Sequence, residues 1–276
     1  MTAPCVYQYK ETLLKVSGVT HGYTDQPVLR DVNFEIRDIV RADCTTGQVV
    51  ALLGPSGMGK STLFRIMAGL DRPQAGSVEV GVEGKIVQPG MVGVVFQNYV
   101  LFEHRTVLGN LVVAASRSGL SRKDSLECSQ VMLKRFGLEE FARRYPVQMS
   151  GGQRQRVAIA QQFVCSQHFL LMDEPFSGLD PLAVENVCRL VTEVANLDEL
   201  NTIIVVTHNI EAAMQVADTV IILGRDRNEA GQPIPGARVQ ENINLMDAGL
   251  TWREGINSTP EFVEVERKIR ERFRTL

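Results

Sequence analysis

Gly54-Pro55-Ser56-Gly57-Met58-Gly59-Lys60-Ser61-Thr62 decides the fold because of what flanks it. Before it runs Val49-Val50-Ala51-Leu52-Leu53, continuous apolarity of the kind a strand buried on both faces carries. After it comes Leu63-Phe64-Arg65-Ile66-Met67-Ala68, a helical run. Strand, G-x-x-x-x-G-K-S loop and helix in that order make a phosphate cradle. Its glycines let backbone N–H groups converge on phosphate oxygens without a Cβ in the way, and the helix turns its positive end to the same place. All nine residues, Gly54, Pro55, Ser56, Gly57, Met58, Gly59, Lys60, Ser61 and Thr62, are therefore candidates for nucleotide contact. Lys60 is expected to neutralise the β- and γ-phosphates, and Ser61 to ligate Mg²⁺ through its hydroxyl.

Two more apolar runs, Phe169-Leu170-Leu171-Met172 and Ile203-Ile204-Val205-Val206, read as parallel strands of the same sheet. Ligands bind at the C-terminal ends of such strands. The run ending at Met172 delivers Asp173 and Glu174 there, one carboxylate for the Mg²⁺ shell and its neighbour to orient an attacking water. The pair favours hydrolysis over transfer to a second small molecule.

Outward from this centre the texture changes. Leu13 to Ile36 alternates apolar and polar residues, as half-exposed antiparallel strands do, and residues 98 to 165 are mainly helical in period. The fold expected is α/β: a P-loop core with an antiparallel β subdomain and an inserted α-helical subdomain at about 98–165. Residues 1–223 would form that unit, and 224–276 a linker and C-terminal helical tail. Gly224 to Gly236 is loop-like in composition, whereas Thr259-Pro260-Glu261 is a helix start with Phe262, Val265, Ile269 and Phe273 recurring on one face. Arg37 to Gly47 reads as an enlarged β loop.

The chain has 276 residues, 29 basic and 32 acidic, so its net charge is −3. That balance argues against nonspecific nucleic-acid or anionic-membrane binding, and no nucleic-acid partner is expected. Hydrophobic residues at 44% argue against disorder. Five scattered cysteines, Cys5, Cys44, Cys128, Cys165 and Cys188, show no C-x-x-C pair and read as small hydrophobes in a reducing compartment. No run of about 18 apolar residues and no signal-peptide pattern is present, so a cytosolic chain that does not itself cross a membrane is expected.

Met149-Ser150-Gly151-Gly152-Gln153-Arg154-Gln155-Arg156-Val157, lying between the phosphate loop and the acidic strand, makes the chain resemble the ATP-binding cassette family, the ABC transporter ATPases. The resemblance covers most of Leu13 to Leu223. It implies that Ser150, Gly151, Gly152 and Gln153 meet the γ-phosphate held by a second copy, giving an ATP-sandwich homodimer. It also implies that Tyr23 stacks on adenine, Gln97 meets Mg²⁺ and the attacking water, and Asp173 assists the metal. Glu174 would be the catalytic base, Asp180 a residue lining the dimer interface, and His208 a γ-phosphate contact. Tyr23 also reads as an ordinary surface aromatic, Gln97 as a strand-end polar group, Asp180 as a helix cap before Pro181, and His208 as a satisfied loop histidine.

The stretch from Val94 to Asn110 is similar to importer cassettes, nearest in texture to the nitrate, sulfonate and taurine group, although Glu103-His104-Arg105 replaces a usual proline and tryptophan. The resemblance implies ATP hydrolysis driving solute transport, import in particular, through a separate membrane permease. A solute-binding protein would act through the permease, and the chain would sit peripherally on the inner face of the cell membrane. Two other classes stand beside this one: a soluble cassette ATPase acting on DNA or ribosomes, and a P-loop kinase or general nucleotide-binding module. Lipid transport or export is a further variant of the transporter reading.

Overall fold

Alternate residues of the strand before the phosphate loop face opposite sides. Val50 and Leu52 point into one apolar core, Ala51 and Leu53 into another. A strand covered on both faces must lie inside a sheet with elements above and below it, which explains the unbroken apolarity of the run. A computed structural model describes residues 7–23, 26–41, 47–165, 169–196, 202–251 and 255–276.

In chain order, β1 (Tyr7–His21) and β2 (Leu29–Arg41) form a long hairpin, and β3 (Gln48–Leu53) leads through the loop into α1 (Lys60–Met67). β4 (Ala75–Val80) and β5 (Lys85–Ile86) follow, then β6 (Gly93–Val95), α2 (Val107–Arg117), α3 (Arg122–Arg135) and α4 (Gly151–Cys165). The remainder is β7 (Phe169–Asp173), α5 (Pro181–Ala195), β8 (Thr202–Thr207), α6 (Ile210–Val216), β9 (Thr219–Gly224), β10 (Arg238–Asn244) and α7 (Pro260–Thr275).

The strands divide into an antiparallel sheet, β2-β1-β4-β5, and a second sheet, β10-β9-β3-β8-β7-β6, parallel except at β10. The register sets Leu53 opposite Thr207 and Asp173 opposite Val206. The C-terminal ends of β3, β7 and β8 therefore finish side by side, and whatever follows each strand shares one edge.

Each core has its own role. One lies between the two sheets and takes Leu14, Val16 and Leu29 with Phe64 and Ile66 of α1. A second packs Leu111, Leu133 and Val157 of the helical layer on β7 and β8. The third gathers α6, β9 and the buried face of α7, where Phe262 and Ile269 are 1% exposed. Burying a side chain of that size contributes about 1.5–3 kcal/mol. Thr259 caps α7, its hydroxyl accepting from the Phe262 N–H at 3.3 Å, and Pro260 occupies the first turn, where its missing N–H costs nothing.

The loop expected from Arg37 to Gly47 is strand as far as Arg41. Those residues extend β2 along β1 in the register Tyr7↔Arg41, Gln8↔Val40 and Tyr9↔Ile39. Ile39 is buried, and the Arg37 guanidinium lies 5.5 Å over the Tyr9 ring while donating to the Lys10 carbonyl at 3.0 Å. Those cross-strand contacts carry the hairpin beyond its expected end. Residues 42–46 of that connection lie outside the described residues, as do Cys5, Cys44 and the Cys165 side chain. Cys128 and Cys188 are free thiols.

β10 adds a strand that composition does not announce, because an edge strand with one solvated face carries polar residues freely. It also stitches the sheets together. Arg30 N–H donates to the Ala237 carbonyl and Ala237 N–H to the Val28 carbonyl, both at 2.9 Å. Asp226 accepts from Arg30, from Arg238 at 2.8 Å and from Gln240 at 3.1 Å.

Candidate active site

Close packing forces two of the loop glycines. A Cβ on Gly54 would lie 2.6 Å from the Leu223 carbonyl oxygen. Gly59 sits at φ +77°, where a Cβ would also come within 2.8 Å of Val28 Cγ1. The loop is thereby held against β9 and the β1–β2 turn at the start of α1.

Lys60, the first residue of α1, is buried, and its ammonium donates to the Gly54 carbonyl at 2.8 Å and the Pro55 carbonyl at 3.2 Å. Burial lowers its pKa, against the pull of Glu174 and Asp173 in the other direction. Nζ stands 3.8 Å from Glu174 Oε1. Ser61 is exposed at the same helix start, and Thr62 is buried behind it.

Asp173 ends β7 half-buried. Burial raises its pKa, the charge of Glu174 raises it further, and Lys60 opposes both. Its Oδ1 is buried and has no hydrogen-bond partner among the described residues. A buried carboxylate oxygen left unpaired costs at least about 1–3 kcal/mol. An oxygen in that condition, near enough to Lys60 of the phosphate loop to interact with its charge, fits a hard divalent cation that prefers oxygen ligands.

Glu174 follows in the left-handed region, φ +46°, a costly backbone state for a non-glycine residue. Its N–H donates to the Val206 carbonyl at 2.8 Å, extending the β7–β8 ladder by one step and pinning the turn. The carboxylate then meets the end of β8: Oε2 accepts from the Thr207 hydroxyl at 2.9 Å, and Oε1 lies 2.9 Å from His208 Nδ1. Lys60, the adjacent Asp173 and Glu174, and His208, three places far apart in sequence, thus form one cluster. Its outer member, His208, is half-exposed.

The remaining candidates lie outside that cluster. Tyr23 is 65% exposed, its ring edge-on to His21 with centroids 5.1 Å apart. Gln97 is exposed on the loop after β6 and makes no hydrogen bond among the described residues. Asp180 caps α5, accepting from the Ala183 N–H at 3.0 Å. Ser150 closes a capping box at α4, its hydroxyl accepting from the Gln153 N–H at 3.3 Å while the Gln153 side chain accepts from the Ser150 N–H at 2.9 Å. That box starts the helix at Gly151. Gly151 and Gly152 are exposed, and a Cβ on either would meet nothing within 4 Å. The helix N-terminus is therefore exposed, and an exposed helix N-terminus favours anions.

Two residues of the site escape sequence reasoning. Thr207 is fully buried at the end of an apolar strand, and a buried hydroxyl must find a partner, which is the signal it does give. Tyr99, at φ +44°, donates from its hydroxyl to the Pro175 carbonyl at 3.2 Å, tying the loop after β6 to the turn after Glu174. Burial pushes its phenol up to about 12.

The chain is similar to known proteins in sequence and in fold. The family model described as ABC transporter matches residues 38–177. A sulfate/thiosulfate import ATP-binding protein of Mesostigma viride is 38% identical over 205 residues, covering 73% of this chain and 59% of that protein. One from Agrobacterium fabrum is 38% identical over 223 residues, 78% of this chain and 62% of its own length. The chain thus spans about six tenths of these relatives. A probable amino-acid import ATP-binding protein of Bacillus subtilis is 36% identical over 226 residues, 76% of this chain and 85% of that one. Among solved structures, cbiO1 from Clostridium perfringens, described as part of an ABC transporter complex, superposes with a TM-score of 0.72 at 25% identity, covering 95% of this chain and 100% of that one. The ATP-binding cassette MJ0796, solved as a dimer bound to ADP and Pi, gives 0.64 at 28% identity over 84% of this chain and 99% of that one. Sequence matches over three quarters of the chain and a shared fold over nearly all of it lead to one conclusion: the chain belongs to the ABC transporter family.

Proposed function

We propose that this chain is the ATP-binding and ATP-hydrolysing subunit of an importer, working as a homodimer on the inner face of a membrane through a separate permease. The observation that carries the catalytic part is the Glu174 carboxylate, set between Lys60 and His208 at the mouth of the phosphate loop. In this reading Tyr23 stacks on adenine, the amides of residues 54–62 hold the phosphates, and Lys60 exchanges its carbonyl partners for phosphate oxygens. Ser61, Asp173 and Gln97 would hold Mg²⁺, whose bound charge would polarise the phosphoryl oxygens. Glu174 orients water for in-line attack on the γ-phosphate, and His208 steadies the developing charge. The open α4 N-terminus of the second copy, with Ser150, Gly151, Gly152 and Gln153, completes the site, and Asp180 lines the joint.

Import is the common property in the names of the relatives, whose solutes differ: sulfate or thiosulfate in one group, an amino acid in the other. Solute choice then belongs to the permease and to a solute-binding protein acting through it. No helix among the described residues is long and apolar enough to cross a membrane, which agrees with a permease carried on another chain. The reading keeps residues 1–223 as the cassette and 224–276 as its tail.

A groove of about 200 Å³ supports the permease part. Phe96, Val100 and Phe102 on its rim are 38%, 72% and 42% exposed, and Tyr99 in its wall bonds to the Glu174 turn. Val100→Asp should abolish recovery of the chain with the membrane fraction and leave ATP hydrolysis by the isolated chain intact. Undiminished membrane recovery of that variant would remove the groove from the reading.

A further inference from the structure

We infer that Thr207 gives the two oxygens of the Glu174 carboxylate different tasks: Oε2 is the anchor and Oε1 is the oxygen that acts. The inference rests on Glu174 being the base and adds a positioning residue to that site. Thr207 is fully buried, so its hydroxyl has no water to turn to. Its oxygen accepts the Asn209 N–H at 3.2 Å, which leaves the single hydroxyl hydrogen to be donated, and the acceptor in reach is Glu174 Oε2 at 2.9 Å. Asn209 is itself fixed, because its side chain caps α6 through the Ala212 N–H at 3.1 Å. The direction of the hydroxyl is therefore set by secondary structure on both sides.

The same Oε2 lies 3.4 Å from the His208 backbone N–H. Two donors from the end of β8 thus hold one oxygen. The backbone of Glu174 is held independently, its N–H by the Val206 carbonyl and its carbonyl by the Ser177 N–H at 3.1 Å. With the main chain and Oε2 fixed, the side chain has little freedom left. Oε1 is turned toward Lys60 and the His208 ring, the side from which a phosphate would be approached. Thr207 touches neither nucleotide nor water in this scheme. It acts by keeping the carboxylate in one rotamer, and misplacing a catalytic group by about 1 Å can cost about 100-fold in rate.

The test is steady-state ATP hydrolysis by the full chain carrying Thr207→Val, which keeps the shape and loses the hydroxyl, beside Thr207→Ser, which keeps the hydroxyl. The Val variant should lose about 10- to 100-fold in kcat with nucleotide KM within about twofold of the parent, while the Ser variant stays within about threefold in kcat. In a Glu174→Gln background Thr207→Val should add no further loss. Melting curves report folding, and Thr207→Ala read against Thr207→Ser makes the same comparison should the Val chain not fold. Parent-like turnover by Thr207→Val, an equal loss in the Ser variant, or a loss confined to KM would each overturn the inference. Parent-like turnover by Glu174→Gln alone would instead overturn the reading of Glu174, so the two failures are distinct.

Discussion

The cluster around Glu174 and the start of α4 are both assigned to phosphate in the proposed reading, yet they are built in opposite ways. Around Glu174 every charged group has a partner except Asp173 Oδ1, and Lys60, Thr207 and Glu174 are held by strand ends from one chain. At Ser150 to Gln153 the side-chain bonds among the described residues are the two that close the helix cap, and both glycines are exposed. One half is assembled from strand ends of one chain; the other is an exposed helix end with an electrostatic direction. On the proposed reading, the contrast teaches that one chain holds a preorganised half-site and that the open helix end of a second copy would complete it.

Three variants sharpen that contrast. Glu174→Gln has the largest expected effect, a fall of about 10²–10⁴-fold in ATP turnover with nucleotide binding retained, measured by phosphate release beside binding of a fluorescent nucleotide. Because hydrolysis would no longer release the sandwich, the variant should elute as a dimer with ATP. Monomeric elution and full activity would erase the distinction between the halves.

Gly152→Asp places a carboxylate at the open helix end, where an added Cβ meets nothing within 4 Å. Folding and single-chain nucleotide binding should be unchanged, whereas ATP-dependent dimer formation in gel filtration should be lost, like charges facing the γ-phosphate being unfavourable. Weakened nucleotide binding by the monomer would instead mean that the α4 terminus serves its own phosphate loop.

Asp226→Asn has the smallest effect and belongs to neither half. Burial works to raise the Asp226 pKa, but Gln240, Arg238 and Arg30 together outweigh it and hold the carboxyl below its ordinary value. A carboxyl depressed by folding stabilises the fold above its unfolded pKa, and the contribution fades as pH falls through the folded value. Asp226→Asn should therefore cost about 1 kcal/mol near neutrality, about 2–4 °C in Tm, and the difference from the parent should close in acid. Turnover per folded molecule should not change; a large drop in kcat would show that the β10 stitch reaches the active site.

How much of this was legible in the chain depends on the range of the contact. The phosphate loop is contiguous, and its conformation follows from local glycines between a strand and a helix, so residues 54–62 could be read directly. Asp173 and Glu174 were readable for the same reason, at the end of an apolar run. The capping roles of Asp180 and Thr259 were also local. The hairpin beyond Ile36 was not readable, because Arg37 to Arg41 become strand only when Tyr7, Tyr9 and Lys10 lie beside them. β10 was hidden likewise, since its polar sequence is pulled into the sheet by pairing with β9.

By itself the sequence determined the phosphate cradle, the acidic pair, the helix caps and the buried strands, each a consequence of neighbouring residues and their periodicity. Tertiary structure alone decided which strands end together, and so what Glu174 meets. Thr207 stands 33 positions from it, and a one-residue slip in the β7–β8 register would turn every side chain on that strand to the other face and leave the carboxylate unheld. Hydrogen bonds across such a gap are fixed by packing on both faces of the sheet, which no local stretch of sequence contains.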